Sequence, residues 1–333
     1  MKKRYQILVI IVPIAAIVTS MFLGRYPVKP DEIVRLIASK IFPAIDASFS
    51  AALETSILNV RIPRIIVAFL SGATLASTGA VFQGVFHNPL VSDHVLGVSN
   101  GASFGASIAL LLSMPRLVIQ FSSFASGIAA VVFAYLLTRV YRNRSALTLI
   151  LSGIIVSGFF SALVSFLKTI ADPLDKMPAI TFWLMGSFAK ISSGDLIYAV
   201  PSMLIPMVIL YLIRWRINVL AAGEESAKAL GMNTNAFRML LIALCTFATA
   251  ASVAVSGVVG WVGLIVPHIC RILVGTDYKV LVPMSIALGG TYLLVMDDIA
   301  RLAASFEVPI GILTALVGAP LFAALLRRGS GWE

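Results

Sequence analysis

Nine apolar runs fill residues 6–24, 61–83, 95–114, 116–138, 146–168, 195–213, 236–256, 279–299 and 308–326 of this 333-residue chain. Each is close to the roughly 20 residues a helix needs to cross a bilayer. So much apolar sequence leaves too little polar surface to coat a water-soluble globule. Only 12% of the residues are charged, against about 25% in an ordinary soluble domain. In hydrocarbon every backbone N–H and C=O must be satisfied within the protein, which long uninterrupted runs achieve as helices. A further run, 259–273, is shorter and punctuated by Gly and Pro, which predicts a half-length or tilted tenth span. The fold class expected is an all-α polytopic membrane protein of about ten transmembrane helices, one membrane domain over residues 1–333. The first run follows Lys2-Lys3-Arg4 and imitates a signal peptide. It is long for that role and no clean small-x-small site follows it, so it reads as a retained first helix.

Orientation follows from Lys and Arg, which collect on the cytoplasmic side. Ten crossings from a cytoplasmic N-terminus place 14 basic residues inside, among them Arg139, Arg142, Arg144, Arg214, Arg216, Lys228, Arg327 and Arg328, against 5 acidic ones. The other side receives 11 basic and 10 acidic residues. Both termini are therefore expected in the cytoplasm.

The net charge of +10 does not indicate nucleic-acid binding, because no basic run alternates with aromatics. Cys245 and Cys270 lie in apolar surroundings, and His87, His94 and His268 lack ligand spacing, so neither a disulfide framework nor a metal site is expected. Ion-coupled carriers place carboxylates in mid-membrane. Here Asp297 and Asp298 sit near a span end beside Arg301, and local pairing explains them. No Gly-x-x-x-x-Gly-Lys-Ser/Thr phosphate loop occurs, nor any His-Glu-x-x-His or Gly-x-Ser-x-Gly motif. The chain reads as a passage powered from outside this polypeptide, with no cofactor of its own and no catalytic residue.

Two segments stand apart from the spans. Residues 172–190, with Pro173, Pro178 and Trp183, read as a short interfacial helix on the outer side. Residues 221–235 form a charged, helix-favouring cytoplasmic island. Glu224 and Glu225 suit the positive end of a helix dipole, and Gly231 is a natural stop. A solvated connector and a rigid contact for a partner both fit this composition. Small residues recur at helix-packing spacing (Gly72, Ala76, Ala80; Gly101, Gly105; Gly153, Ser157, Ser161) and predict packing within the chain.

Several blocks resemble the membrane permease subunits of binding-protein-dependent ABC importers for iron–siderophore complexes, haem and cobalamin, the FecCD-type permeases. They are Arg61-Ile-Pro-Arg64, Gly79-Ala-Val-Phe-Gln83, Asn88-Pro-Leu90, Leu96-Gly-Val-Ser-Asn-Gly-Ala102, Gly223-Glu-Glu-Ser-Ala-Lys-Ala-Leu-Gly231, Gly263-Leu-Ile-Val-Pro-His-Ile-Cys-Arg271 and Pro309-Ile-Gly-Ile-Leu-Thr-Ala-Leu-Val-Gly-Ala-Pro320. They occur in family order over roughly residues 55–328. The resemblance implies the type II ABC importer permease fold and a prokaryotic plasma (inner) membrane location. It also implies a homodimer with the path along its axis, two ATPase subunits carrying ATP and Mg, and an extracytoplasmic binding protein. On this resemblance Gly223, Glu224, Glu225, Ala227, Leu230 and Gly231 match the helix that couples to the ATPase. Arg61, Arg64 and Arg301 match outer-face arginines that pair with acids of the binding protein. Without it, snorkelling explains the first two and pairing with Asp297 or Asp298 the third. Asn88, Pro89 and Leu90 match an inner gate loop, with Ser145 and Thr148 opposite. His268 reads as a structural hydrogen-bonding residue.

The expected cargo is a metal chelate: iron–siderophore, haem or cobalamin. Trp261 stands where the family pattern has Phe, and the Trp-Val-Gly-Leu version is similar to a subgroup that includes molybdate or tungstate importers. That makes an oxyanion the alternative cargo. An ion-coupled secondary transporter would need the missing intramembrane acids, and a receptor without transport would need no coupling helix.

Overall fold

The computed structural model describes residues 3–24, 28–42, 49–92, 94–140 and 146–327. Lys2, Arg142, Arg144, Ser145 and Arg328, which enter the expectations above, lie outside them. The helices are α1 (Lys3–Phe22), α2 (Pro30–Ile41), α3 (Ala51–Glu54), α4 (Ile62–Val85), α5 (Val98–Leu111), α6 (Arg116–Val140), α7 (Ala146–Ile170), α8 (Lys176–Leu184), α9 (Leu196–Ala221), α10 (Glu224–Ala229), α11 (Thr234–Ser256), α12 (Val262–Val274), α13 (Tyr278–Leu302) and α14 (Ile310–Arg327). Among the described residues 6 helical rods are long and apolar enough to cross a membrane. Shorter apolar helices cover Val9–Phe22, Val98–Leu111, Val262–Val274 and Ile310–Leu325. Each of the ten expected spans thus has its helix. The tenth is short as expected: α12 has 13 residues, about 20 Å of rise against a hydrocarbon core of about 30 Å.

Three elements between the first two spans were not foreseen. Pro30 at the first helical position, with Asp31 and Glu32 in the first turn, starts α2. Ser50 caps α3 by accepting from Leu53 N–H at 3.3 Å. π turns over Thr55–Arg61 then join α3 to α4, so Ala51–Val85 runs as one rod of 35 residues.

Helix α4 is the central pillar, packed on α9, α11, α12 and α13. Its small side chains allow this. A Cβ on Gly72 would lie 2.2 Å from the Gly289 carbonyl oxygen, and one on Gly79 would lie 1.9 Å from that of Gly263. Backbone meets backbone at both crossings, the close approach that helices in lipid use in place of a hydrophobic driving force. Gly101 and Gly105 press on Ser126 and Ser122 of α6, and Gly153 of α7 presses on the Val95 carbonyl. The small-residue stripes therefore serve packing within the chain at these positions.

The end of α8 is stitched to two spans. Ser187 N–H donates to Ser256 C=O at 2.8 Å, and Ile310 and Gly311 N–H donate to Gly186 and Met185 C=O, each at 3.0 Å. The 172–190 segment thus fixes the end of α11 and the start of α14. Helix α7 packs on α5 and α6, and α14 leans mainly on α12 and α13. Each leaves an apolar face open: Leu151, Ile154, Ile155, Phe159 and Phe166 on α7, and Ile312, Leu316 and Val317 on α14.

Candidate functional site

The charged island over residues 221–235 folds as a braced helix. Helix α9 ends at Ala221, and Gly223, at φ +116°, turns the chain into α10. Gly231, at φ +77°, turns it out again. Both are conformations that only glycine enters without strain. Inside α10, Ala227 is fully buried and seats the helix, while Glu225, Ser226 and Leu230 face outward. Leu230 is a large apolar side chain that is 74% exposed. Glu224 accepts from Lys228 at 2.8 Å and from Arg238 of α11 at 3.2 Å. These two cations hold its carboxyl below the ordinary glutamate range. Of the six residues expected here, Glu224 and Ala227 anchor the element, Gly223 and Gly231 hinge it, and Glu225 and Leu230 form its outward surface.

The loop expected as the inner gate follows α4. Asn88 N–H donates to Gln83 C=O at 3.1 Å, and Leu90 N–H donates to Asn88 Oδ1 at 2.9 Å. This Asx turn around Pro89 is closed by its own side chain. Leu90 is 49% exposed. Thr148 stands in the first turn of α7, and Ser145 lies outside the described residues.

The three arginines, expected on the outer face, meet where ends of α1, α4 and α13 come together, and they do not project. Arg61, Arg64 and Arg301 are 4%, 5% and 6% exposed. Arg64 forks twice. Its Nε and Nη2 donate to Asp297 at 2.9 and 2.8 Å, and its Nη1 and Nη2 donate to Glu307 at 2.9 and 3.1 Å. Arg301 donates to Asp298 and, at 2.9 Å, to Ser20 Oγ, which itself donates to Asp298 at 2.7 Å. Its Nε lies 3.5 Å from Asp297. Arg61 donates to the Met21 carbonyl at 2.8 Å. The cluster ties α1 to the pillar and to α13. Pairing with Asp297 and Asp298, the alternative given for Arg301, is present, and Arg64 shares it. Glu307 gave no sequence signal. It is the more open partner of Arg64, 28% exposed against 1% for Asp297, and it lines an outer cavity of about 470 Å³ with Arg116, Trp183 and Lys190.

Trp261 holds φ +72° at the start of α12. Its ring meets Phe322 of α14 edge-on at 6.3 Å, and a Cβ on Gly318 would lie 2.8 Å from the Trp261 Cβ. The residue that departs from the family pattern thus packs directly on α14.

A family model described as the FecCD transport family matches residues 10–328. The chain belongs to the FecCD transport family. It is 41% identical over 315 residues to the molybdate import system permease protein MolB of Haemophilus influenzae, covering 94% of this chain and 93% of that one. A relative in Helicobacter pylori, named a probable iron chelatin transport system permease protein, is 37% identical, with 84% and 85% covered. A solved inward-facing conformation of an ABC transporter assigned to the metal-chelate type superimposes with a TM-score of 0.86 and 38% identity, over 97% of this chain and 99% of that one. The chain is an ABC-importer permease, and its relatives carry metal chelates or molybdate.

Proposed function

We propose that this chain is the membrane subunit of a prokaryotic plasma-membrane importer, working as a homodimer with two ATPase subunits and an extracytoplasmic binding protein. The observation that carries the reading is α10: a short helix hinged by Gly223 and Gly231, braced to α11 through Glu224, with Glu225 and Leu230 turned outward. An exposed apolar anchor with a charged rim is the kind of surface a partner cleft takes. The open faces of α7 and α14 are where the second copy would sit, with the path between. Over residues 147–170 and 310–325 their exposed side chains are apolar or hydroxyl-bearing, so the path holds cargo loosely and leaves selection to the binding protein. At the outer face an incoming carboxylate of the binding protein would take the place of Glu307 on Arg64.

For the cargo this reading puts molybdate or tungstate before a metal chelate. Support comes from the higher identity and wider coverage of the molybdate relative together with Trp261. The test is uptake into proteoliposomes holding the permease and its genetic-neighbour ATPase, with the binding protein outside. ATP-dependent molybdate uptake at the expense of iron chelate supports the order given. Uptake of iron–siderophore alone reverses it, and uptake that ignores ATP removes the importer reading.

A further inference from the structure

One carbonyl joins the coupling segment to the gate loop. Leu220 C=O, in the last turn of α9, accepts from Gly223 N–H at 3.2 Å and lies 3.2 Å from His87 Nε2. Gly223 is the hinge from which α10 hangs. His87 stands in the turn that carries α4 into Asn88-Pro89-Leu90. It holds φ +49°, a left-handed conformation that a non-glycine residue keeps only where the surroundings fix it. Its own N–H donates to Gly84 C=O at 3.4 Å, and the next N–H donates to Gln83 C=O.

The rest of this junction is locked. The Leu220 side chain is fully buried in the core. Asn218, two residues earlier, accepts from Tyr278 N–H at 2.8 Å and donates to Asp277 at 2.7 Å. The Leu220 carbonyl is thus held in common by the Gly223 hinge and the His87 turn, and a rotation that withdraws the Gly223 N–H changes the acceptor to which His87 is bonded.

We propose that His87 is a positioning residue that passes the movement of α10 to the Asn88–Leu90 loop. The side chain holds the loop in its present place while Gly223 N–H and His87 share the Leu220 carbonyl. When the hinge turns, that hold is released. This rests on the reading of α10 as the ATPase contact and of the loop as the inner gate.

A plain helix cap would look similar, so the test needs a readout that a cap does not move. The measurement is ATP hydrolysed per cargo taken up, in proteoliposomes of the full complex, alongside the melting temperature of the permease. His87→Gly keeps the backbone conformation and removes the donor. It should raise ATP per cargo by roughly 2- to 10-fold, the population change that one net hydrogen bond controls, with little change in melting temperature. His87→Gln restores a donor at the same reach and should return the ratio to wild type, while His87→Phe keeps bulk without a donor and should not. Leu230→Ala combined with His87→Phe should be non-additive in the logarithm of the ratio. A wild-type ratio in both His87→Gly and His87→Phe overturns the proposal, as does strict additivity with Leu230→Ala. A wild-type complex that moves cargo without ATP overturns the importer reading instead.

Discussion

Removing the Asp297 carboxylate separates the internal role of the outer arginines from any role in docking. Asp297 is 1% exposed and takes two hydrogen bonds from Arg64 at 2.8 and 2.9 Å. Breaking a buried pair from one side costs about 3–5 kcal/mol, because the remaining charge is stranded. Here Glu307 still faces Arg64 from its other edge at 2.9 Å, and Arg301 keeps Asp298. Neither cation is left without a carboxylate, so Asp297→Asn should cost about 2–3 kcal/mol, the lower end of that range or slightly less. Arg64→Met should cost a similar amount, since it strips the more deeply buried Asp297 of its short hydrogen bonds and leaves it Arg301 Nε at 3.5 Å. The double variant Arg64→Met with Asp297→Asn strands no deep charge and should lose only about 2 kcal/mol. Reversible unfolding in mixed micelles would measure the four corners of this cycle. A coupling energy of about 2 kcal/mol or more is expected. Singles that each cost under about 1 kcal/mol and add without coupling would refute the reasoning.

Three further outcomes follow from the structure. Glu224→Lys with Glu225→Lys should abolish cargo-stimulated ATP hydrolysis while the elution volume of the purified permease in size-exclusion chromatography stays that of the wild type; unchanged hydrolysis and uptake would remove α10 as the contact. Gly79→Ala puts a methyl group 1.9 Å from a backbone carbonyl, which neither helix can avoid without moving, and should destabilise by at least about 1–3 kcal/mol, read as lost folded yield. Lys228 and Arg238 lower the Glu224 pKa from 4.5. Its bracing is therefore fully present above that value and is lost as pH falls through the lower folded value. Cross-linking of cysteines placed on α10 and α11 should stay flat at every pH above 4.5 and fall only below it; a fall near neutral pH would contradict the assignment.

Sequence patterns exposed whatever depends on local composition. Apolar length located all ten spans, and Gly and Pro marked α12 as short. Glu224 to Gly231 declared a helix start and stop. The arginine cluster was hidden because its partners are far along the chain: Arg64 meets Asp297 at a separation of 233 residues and Glu307 at 243. A lone Arg at a span end looks the same whether it snorkels or pairs. The double role of α10 was hidden for a related reason, since only Arg238 on the next helix turns Glu224 from a surface acid into a brace. His87 was set aside for want of ligand spacing, and its use is to bind a backbone carbonyl, which no spacing rule detects. The π turns over Thr55–Arg61 carry no sequence marker that separates them from an α-helix.

The central claim is that this chain moves cargo only when an ATPase acts on α10. Its most direct measurement is cargo accumulation in proteoliposomes of identical permease content, with and without the partner ATPase, in the presence and absence of ATP and of an imposed ion gradient. The account predicts accumulation only with both ATPase and ATP, and its loss in the Glu224→Lys, Glu225→Lys variant. Accumulation by the permease alone on an ion gradient would contradict it.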